Sequence, residues 1–335
     1  MSDSLKTMLP AIEAELQRQI SRLDQPRTRE FHEMLTYHMG WTGDGAGPEA
    51  AGKRIRPLLV LLTVAGAGAE WKKALPAAAA VELVHNFSLV HDDIQDNSEK
   101  RRGRETVWKK WGMPMGINAG DGLFVLANQA MLDLKDDYPA ETILRAAGVL
   151  QNTCLDLTRG QYLDMSYETR LDLAVEDYWP MIGGKTAALL AACCHIGAIL
   201  AESDSPTEDA YRSFGHYLGL AFQVQDDILG IWGDEAITGK SAASDLLEGK
   251  KSLPVLVGLG KKGKFAARWK EGPIRPDEVV EIAELLANEG GYGYAHEISK
   301  QMTDLAINSL READPQGEAG EALTELAGKL LKRQA

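Results

Sequence analysis

Apolar positions along this 335-residue chain recur mostly every three to four residues, the spacing of one helix face, and the two-residue alternation of a half-buried strand is almost absent. The pattern predicts a first helix over residues 5–22. A glycine-rich loop over 41–52, WTGDGAGPEAAG, precedes a helix starting at Pro57 with LLVLLTVAGA. Proline suits a first helical position because the N–H it lacks would be unpaired there. Residues 75–96 read as a long helix, apolar nearly all round and therefore buried on most of its surface. Further helices follow at 116–134 and 142–163, separated by the break KDDYP. The apolar stretch 171–200 is interrupted by Gly183-Gly184, which predicts a junction between two helices. Ser205-Pro206-Thr207-Glu208 has the form of a capping box and predicts a helix from there to about Trp232. Residues 233–251 read as a polar loop. Beyond Leu253, amphipathic helices alternate with punctuation at GPIRP and ANEGGYG, and a last helix over 321–332 carries Leu323, Leu326, Leu330 and Leu331 on one face.

No composition shift, Ser/Pro-rich linker or fixed-period repeat divides the chain. The expectation is an all-α protein of ten or more helices in a single domain over 1–335, a bundle whose sites are built from side chains on facing helices.

Composition narrows the classes. Hydrophobic residues at 44% and charged residues at 25% are ordinary globular usage. The net charge of −13 argues against a nucleic-acid partner, which calls for a broadly basic face, and it makes local basic clusters more informative. The three cysteines, Cys154, Cys193 and Cys194, have no CxxC spacing and read as reduced core residues of a cytoplasmic protein. The N-terminal stretch lacks the apolar core of a signal peptide, and the most apolar run, 186–200, is shorter than a membrane span. No membrane span is expected, although a lipid-like substrate or product remains compatible with the chain.

Two stretches carry chemistry. Asp92 and Asp96 end the long apolar helix four residues apart, with Asp93 beside them. On a helix the two share a face, where uncompensated carboxylates repel unless a cation lies between them. Mg²⁺ suits such a place, since it takes hard oxygen ligands and uses one or two carboxylates together with substrate phosphates. A second apolar helix ends in Asp226-Asp227, with Gln223 one turn earlier on the same face. Two aspartate-tipped helices could face each other and hold metal ions above an apolar shaft. Basic residues bracket both: Lys53, Arg54 and Arg56, then Arg101-Arg102, then Lys185 with Thr186, then Lys240, Lys250 and Lys251. Arginine suits forked hydrogen bonds to phosphate and lysine supplies a point charge.

With these motifs in the order GKRIRP, HNFSLVHDDIQD, RRG, GGKT, FQVQDDILG and GKSAASDLLEGKKSLP, the chain from about Gly52 to Pro254 resembles the trans-isoprenyl diphosphate synthases, the polyprenyl synthetase family. The resemblance implies a helical bundle of the isoprenoid synthase type with a central apolar cavity, working as a homodimer. It implies Mg²⁺, three ions with substrate bound, on Asp92, Asp96 and Asp226, with Asp93 and Asp227 as further candidates. Arg101, Lys185, Thr186, Gln223, Lys240 and Lys250 would contact the allylic diphosphate or its leaving group. Lys53, Arg56, His85 and Arg102 would hold isopentenyl diphosphate; His85, seven residues before Asp92, lies on nearly the same helix face. The implied reaction ionises an allylic diphosphate, whose cation the alkene of isopentenyl diphosphate attacks before a proton is lost. One departure stands out: many members end the second motif in a third aspartate, where this chain has Gly230. Asp226 and Asp227 would then have to suffice, or Asp234 or Asp245 would serve through water.

Chain length would be set one or two turns below Asp92, where Ser88, Val84 and the flanking Phe87 lie. An aromatic at Phe87 with the small Ser88, and no insertion within DDIQD, resembles geranylgeranyl (C20) synthases, with farnesyl (C15) or longer products as alternatives. A class I terpene cyclase would have no use for Lys53, Arg56 and His85. A non-catalytic synthase subunit should have eroded acidic motifs.

Overall fold

Four consecutive alanines, Ala77–Ala80, are all buried in the helix Leu75–Gln95, where side chains this small let neighbouring helices approach closely. The computed structural model describes residues 3–233 and 243–331; Asp234 and Lys240 lie outside the described residues. Helices account for nearly all of its regular structure. Besides the short turns of helix Pro48–Ala51 and Val107–Trp111, they include α1 (Asp3–Ile20), α2 (Arg29–His38), α3 (Ile55–Gly66), α4 (Leu75–Gln95), α5 (Met113–Leu132), α6 (Ala140–Tyr167), α7 (Val175–Leu200), α8 (Ser205–Trp232), α9 (Ser244–Leu247), α10 (Leu253–Lys261), α11 (Lys264–Lys270), α12 (Val279–Asn288), α13 (Gly291–Ala313) and α14 (Gly317–Leu331). The contacts gather into two units. One comprises Met1–Gln151, Cys193–Glu208 and Asp314–Leu323, the other Asn152–Ala192, Asp209–Ala313 and Thr324–Ala335.

In the first unit α4 packs against α1, α3 and α5. The α4–α5 contact depends on missing side chains. A Cβ on Gly120 would come within 2.2 Å of His91 Nε2, and one on Gly116 within 2.9 Å of Ile94 and Trp108. The His91 ring therefore lies over α5, with Nε2 3.1 Å from the Ile117 carbonyl oxygen. In the second unit one core gathers Tyr178, Leu220, Val224, Leu253 and Leu256, and another gathers Phe265, Trp269, Ile282 and Leu286.

Four local expectations are corrected. The helix expected from Pro57 begins at Ile55, with Pro57 third. Its first backbone bond runs from Leu58 N–H to the Arg54 carbonyl at 3.2 Å, so the proline still occupies a position whose N–H would have had no helical partner. Gly183-Gly184 is not a junction, because the chain passes through one π turn, Gly183–Ala187, and continues as a 26-residue helix. That helix contains an apolar window with a mean hydropathy of 1.5 and is long and apolar enough to cross a bilayer, yet 61% of the window is buried inside the protein, as in a core helix. Helix α8 is capped by Asp204, whose Oδ1 accepts the Thr207 N–H at 3.0 Å; Glu208 is turned instead to Arg145 at 2.6 Å. The chain also forms one two-stranded hairpin, Lys100–Arg101 with Arg104–Glu105, which apolar alternation could not reveal because it is built of charged residues.

Candidate active site

Helix α4 delivers Asp92 and Asp96 to its C-terminal end, where the Asp96 N–H closes the last turn on the Asp92 carbonyl at 2.8 Å. Asp92 is half-buried and Asp96 exposed, one turn apart. Asp93 differs from both. It is 2% exposed and its Oδ1 accepts the Arg101 Nε–H at 2.8 Å. Burial pushes its carboxyl up to about 6, with Arg101 opposing and the neighbouring Asp92 and Asp96 adding to the rise. The three aspartates of the motif thus differ in burial: Asp92 is half-buried, Asp96 exposed, and Asp93 buried in an ion pair with Arg101.

Arg101 and Arg102 owe their directions to the hairpin. Its turn places Arg102 at φ 51 and Gly103 at φ 76, the two left-handed positions of the tight turn that matches strand twist. Arg101 reaches Asp93, while Arg102 Nη1 donates to the Ala50 carbonyl at 2.8 Å. Arg104 holds the return strand. It donates to the carbonyls of Tyr37, Thr42 and Asp44 at 2.7, 2.6 and 2.9 Å and stacks 3.9 Å from the centre of the Tyr37 ring.

Next to the hairpin lies a cavity of about 570 Å³ lined by Lys53, Arg54, Arg56, Glu82, His85 and Arg102 among others. Arg54 is structural. At φ 49 and 3% exposed, it donates to Glu13 at 2.6 Å and Glu82 at 2.9 Å, contacts that offset a left-handed backbone. Arg56 is different: its buried Nε finds no acceptor among the described residues. A buried donor without a partner costs free energy that an anionic ligand would recover. His85 is held neutral, its pKa driven far below the ordinary value by burial and by Arg56, Arg102 and Arg101. The four residues expected to hold isopentenyl diphosphate, Lys53, Arg56, His85 and Arg102, therefore share one cavity.

The second acidic tip belongs to the second unit, and its aspartates also divide. Asp227, 1% exposed, accepts the Tyr178 hydroxyl at 2.7 Å, the Gln223 amide at 3.0 Å and the Leu253 N–H at 3.0 Å. It anchors the start of α10, whereas Asp226 is half-buried at the helix tip. Gln223 in turn accepts the Thr186 hydroxyl at 2.8 Å, and Lys185 pairs with Asp164 at 2.5 Å. The π turn makes this possible. Gly184 and Gly160 have no room for a Cβ, which would lie 2.5 Å from the Asp156 oxygen and 2.1 Å from the Lys185 nitrogen. π turns recur at functional sites, and this one presents Lys185 and Thr186 together. Lys250 Nζ lies 3.4 Å from Asp245 and 3.9 Å from Asp227. Among the described residues no three His, Cys, Asp or Glu side chains converge into a cage for a metal ion.

A family model for polyprenyl synthetase matches residues 47–286. The chain belongs to the polyprenyl synthetase family. It is 38% identical to a (2E,6E)-farnesyl diphosphate synthase of Mycobacterium tuberculosis over 330 residues, 96% of this chain and 90% of that protein. It is also 38% identical to a geranylgeranyl diphosphate synthase of the same organism over 307 residues, 90% of this chain and 86% of that protein. The crystal structure of geranylgeranyl pyrophosphate synthetase from Pyrococcus horikoshii aligns with 99% of this chain and 100% of its own, at a TM-score of 0.87 and 33% identity. The family and the all-α fold expected from the sequence are thus both found.

Sequence reasoning missed several residues of this polyprenyl synthetase site. Tyr178 and Asp164 stand in ordinary helical patterns, and only their contacts with Asp227 and Lys185 mark them. His38 lies beside Arg101, Arg102 and Asp93, and carries a buried Nε2 with no partner among the described residues. Arg104 was readable only as one more charge in an arginine run.

Proposed function

We propose that this polyprenyl synthetase family prenyltransferase condenses isopentenyl diphosphate with an allylic diphosphate, head to tail, to give a trans-prenyl diphosphate, geranylgeranyl diphosphate (C20) in particular. The observation that carries the reading is the cationic cavity. Lys53, Arg56, His85 and Arg102 line it, and His85 lies on the same helix as Asp92, two turns away. A site for a second diphosphate beside an acidic helix tip is what chain elongation needs and a single-substrate cyclase does not.

Asp92 and Asp96 fit a divalent cation. Their carboxylates are hard oxygen donors one turn apart at an accessible helix end, and Mg²⁺ typically completes such a pair with phosphate oxygens and water. Asp226 is the matching candidate on α8. Bound Mg²⁺ supplies Lewis-acid stabilisation of the departing diphosphate. The side chains do the rest. Lys185 and Lys250 on the second unit would offer positive charge to the leaving group, as Arg101 would at the first tip, so that little reorganisation is needed within either unit as the C–O bond breaks. Arg56 and Arg102 hold the diphosphate of isopentenyl diphosphate, and neutral His85 adds a hydrogen bond without adding charge. Asp93, paired with Arg101, and Asp227, engaged by three protein donors, keep the two helix tips in place.

The C20 assignment rests on Phe87, which packs 5.1 Å from Phe124 and 5.6 Å from His91, ring centre to ring centre, beside the small Ser88. A C15 product is the second reading, kept because the chain is equally, 38%, identical to a farnesyl and to a geranylgeranyl synthase. Exposed Ile117, Val125 and Leu132 on α5 would be covered in a homodimer.

The deciding experiment incubates the purified protein with Mg²⁺, isopentenyl diphosphate and each allylic primer in turn, then sizes the products. Turnover to C20 that stops on chelation is expected. A hydrocarbon formed from one prenyl diphosphate, or no turnover with any primer, would overturn the reading.

A further inference from the structure

Helix α8 carries Asp226 but no carboxylate one turn further on, where α4 has Asp96 after Asp92; the i+4 position is Gly230. Gly230 has an ordinary helical φ, so backbone freedom does not explain it, and a glycine inside a helix costs about 1 kcal/mol relative to alanine. Space explains it. A Cβ built there would lie 2.4 Å from Asp245 Oδ2, 2.5 Å from its Cγ and 2.7 Å from its Oδ1. The whole carboxylate of Asp245 stands where the root of a side chain at 230 would be.

Asp245 is held there firmly. It is 1% exposed, and it belongs to the short helix α9, which Gly249 at φ 69 terminates. The reversal lets the Lys250 N–H donate to the Asp245 carbonyl at 2.9 Å. It also brings the Lys250 ammonium to 3.4 Å from Asp245 Oδ2, with Asp227 Oδ1 3.9 Å away on the other side. Asp227 is already engaged by Tyr178, Gln223 and the Leu253 amide, so it has little freedom to follow a moving lysine. With its side chain 41% exposed, Lys250 would otherwise be free to turn into solvent.

We propose that Asp245 is a positioning residue that takes the room left by Gly230 and, with Asp227, fixes the Lys250 ammonium for the diphosphate at the tip of α8. Gly230 is then a requirement of this arrangement and not an eroded aspartate. The proposal rests on the prenyl diphosphate reading above.

The test compares the wild type with Asp245→Asn, Gly230→Ala and the two together. Inorganic pyrophosphate binding in Mg²⁺ is measured by calorimetry, KM and kcat are measured separately, and a thermal melt monitors the fold. Asp245→Asn should weaken pyrophosphate binding about tenfold, equivalent to about 1.4 kcal/mol. It should raise the allylic KM more than it lowers kcat, at a nearly unchanged melting temperature. Gly230→Ala, whose methyl group displaces the same carboxylate, should reproduce the loss, and the double variant should be little worse than either. Should Asp245→Asn unfold, Lys250→Met serves in its place: adding Gly230→Ala to it should cost no further affinity. Wild-type affinity in Asp245→Asn, or additive losses in the double variant, would overturn the positioning role while leaving the catalytic reading intact. A wild-type protein that binds no pyrophosphate with Mg²⁺ would overturn both.

Discussion

The hydroxyl of Tyr178 donates to Asp227 at 2.7 Å, deep in the second unit, and this contact separates two neighbouring aspartates that look alike in sequence. Asp227 accepts two further hydrogen bonds and is 1% exposed, so it acts as a fixed acceptor in the core. Burial and that carboxylate push the Tyr178 phenol far above its ordinary value, and it stays a donor at any working pH. Tyr178→Phe should cost about 1.5–3 kcal/mol, the range for a hydrogen bond to a charged group, read as a lower urea midpoint. Asp226→Asn should leave that midpoint nearly unchanged and lower turnover instead.

The same division holds at the first tip. Asp92→Asn and Asp96→Asn should each lower kcat/KM on the order of 100-fold or more, as expected when a preorganised charge opposite the reacting group is lost. The Mg²⁺ concentration for half-maximal rate should rise as well. Asp93→Asn should show its largest effect in stability, since it leaves the Arg101 guanidinium without the negative charge 2.8 Å away.

In the cationic cavity, Arg56→Gln should raise KM for isopentenyl diphosphate at least about tenfold with a smaller effect on the allylic KM, since a charge-assisted bond contributes about 1.5–3 kcal/mol. Steady-state kinetics with each substrate varied in turn separates the two. Equal effects on both would show that Arg56 serves no one diphosphate.

Acid should destabilise the first unit through its buried histidines. Burial, with Arg101 and Arg102 nearby, pushes His38 down to about 3, and His85 is lowered in the same direction. In the unfolded chain a histidine takes up its proton near pH 6.5, whereas folded His38 stays neutral until about 3. The stabilisation is therefore complete above about pH 6.5 and is lost as the pH falls toward 3, because the unfolded state binds the extra proton. Urea titrations at several pH values should give His38→Gln a flatter dependence than the wild type, by up to about 1.4 kcal/mol per pH unit.

Phe87→Ala should lengthen the product, because it removes the ring packed on Phe124 and opens space beside Ser88. Chromatography of dephosphorylated products reads the change directly. An unchanged distribution would remove Phe87 as the determinant of length.

Much of this protein is local and therefore written in the sequence. Helical periodicity located α1, α4 and α8 to within a few residues, since a stripe at 3.6-residue spacing depends only on neighbours along the chain. The i, i+4 spacing of Asp92 and Asp96 and the motif order from GKRIRP to KKSLP gave the family and the reaction class in the same way. Local details differed where a contact overrode the signal: α8 begins at Ser205 as expected but is capped by Asp204, and Gly183-Gly184 forms a π turn where α6 packs too close for side chains.

What only the tertiary structure decided is which charges are spoken for. Asp93 against Asp92, Asp227 against Asp226, and Arg54 against Arg56 cannot be told apart by residue type. Burial and a partner settle each, and two of the partners are far along the chain: Tyr178 lies 49 residues from Asp227, and Glu82 lies 28 from Arg54. Removing a charge from water is costly unless it is paired, so the members that folding buries, Asp93, Asp227 and Arg54, are the ones held by ion pairs or hydrogen bonds from the protein. Gly230 is the clearest instance. In sequence it is a missing aspartate; in the fold its empty place is filled by the carboxylate of Asp245.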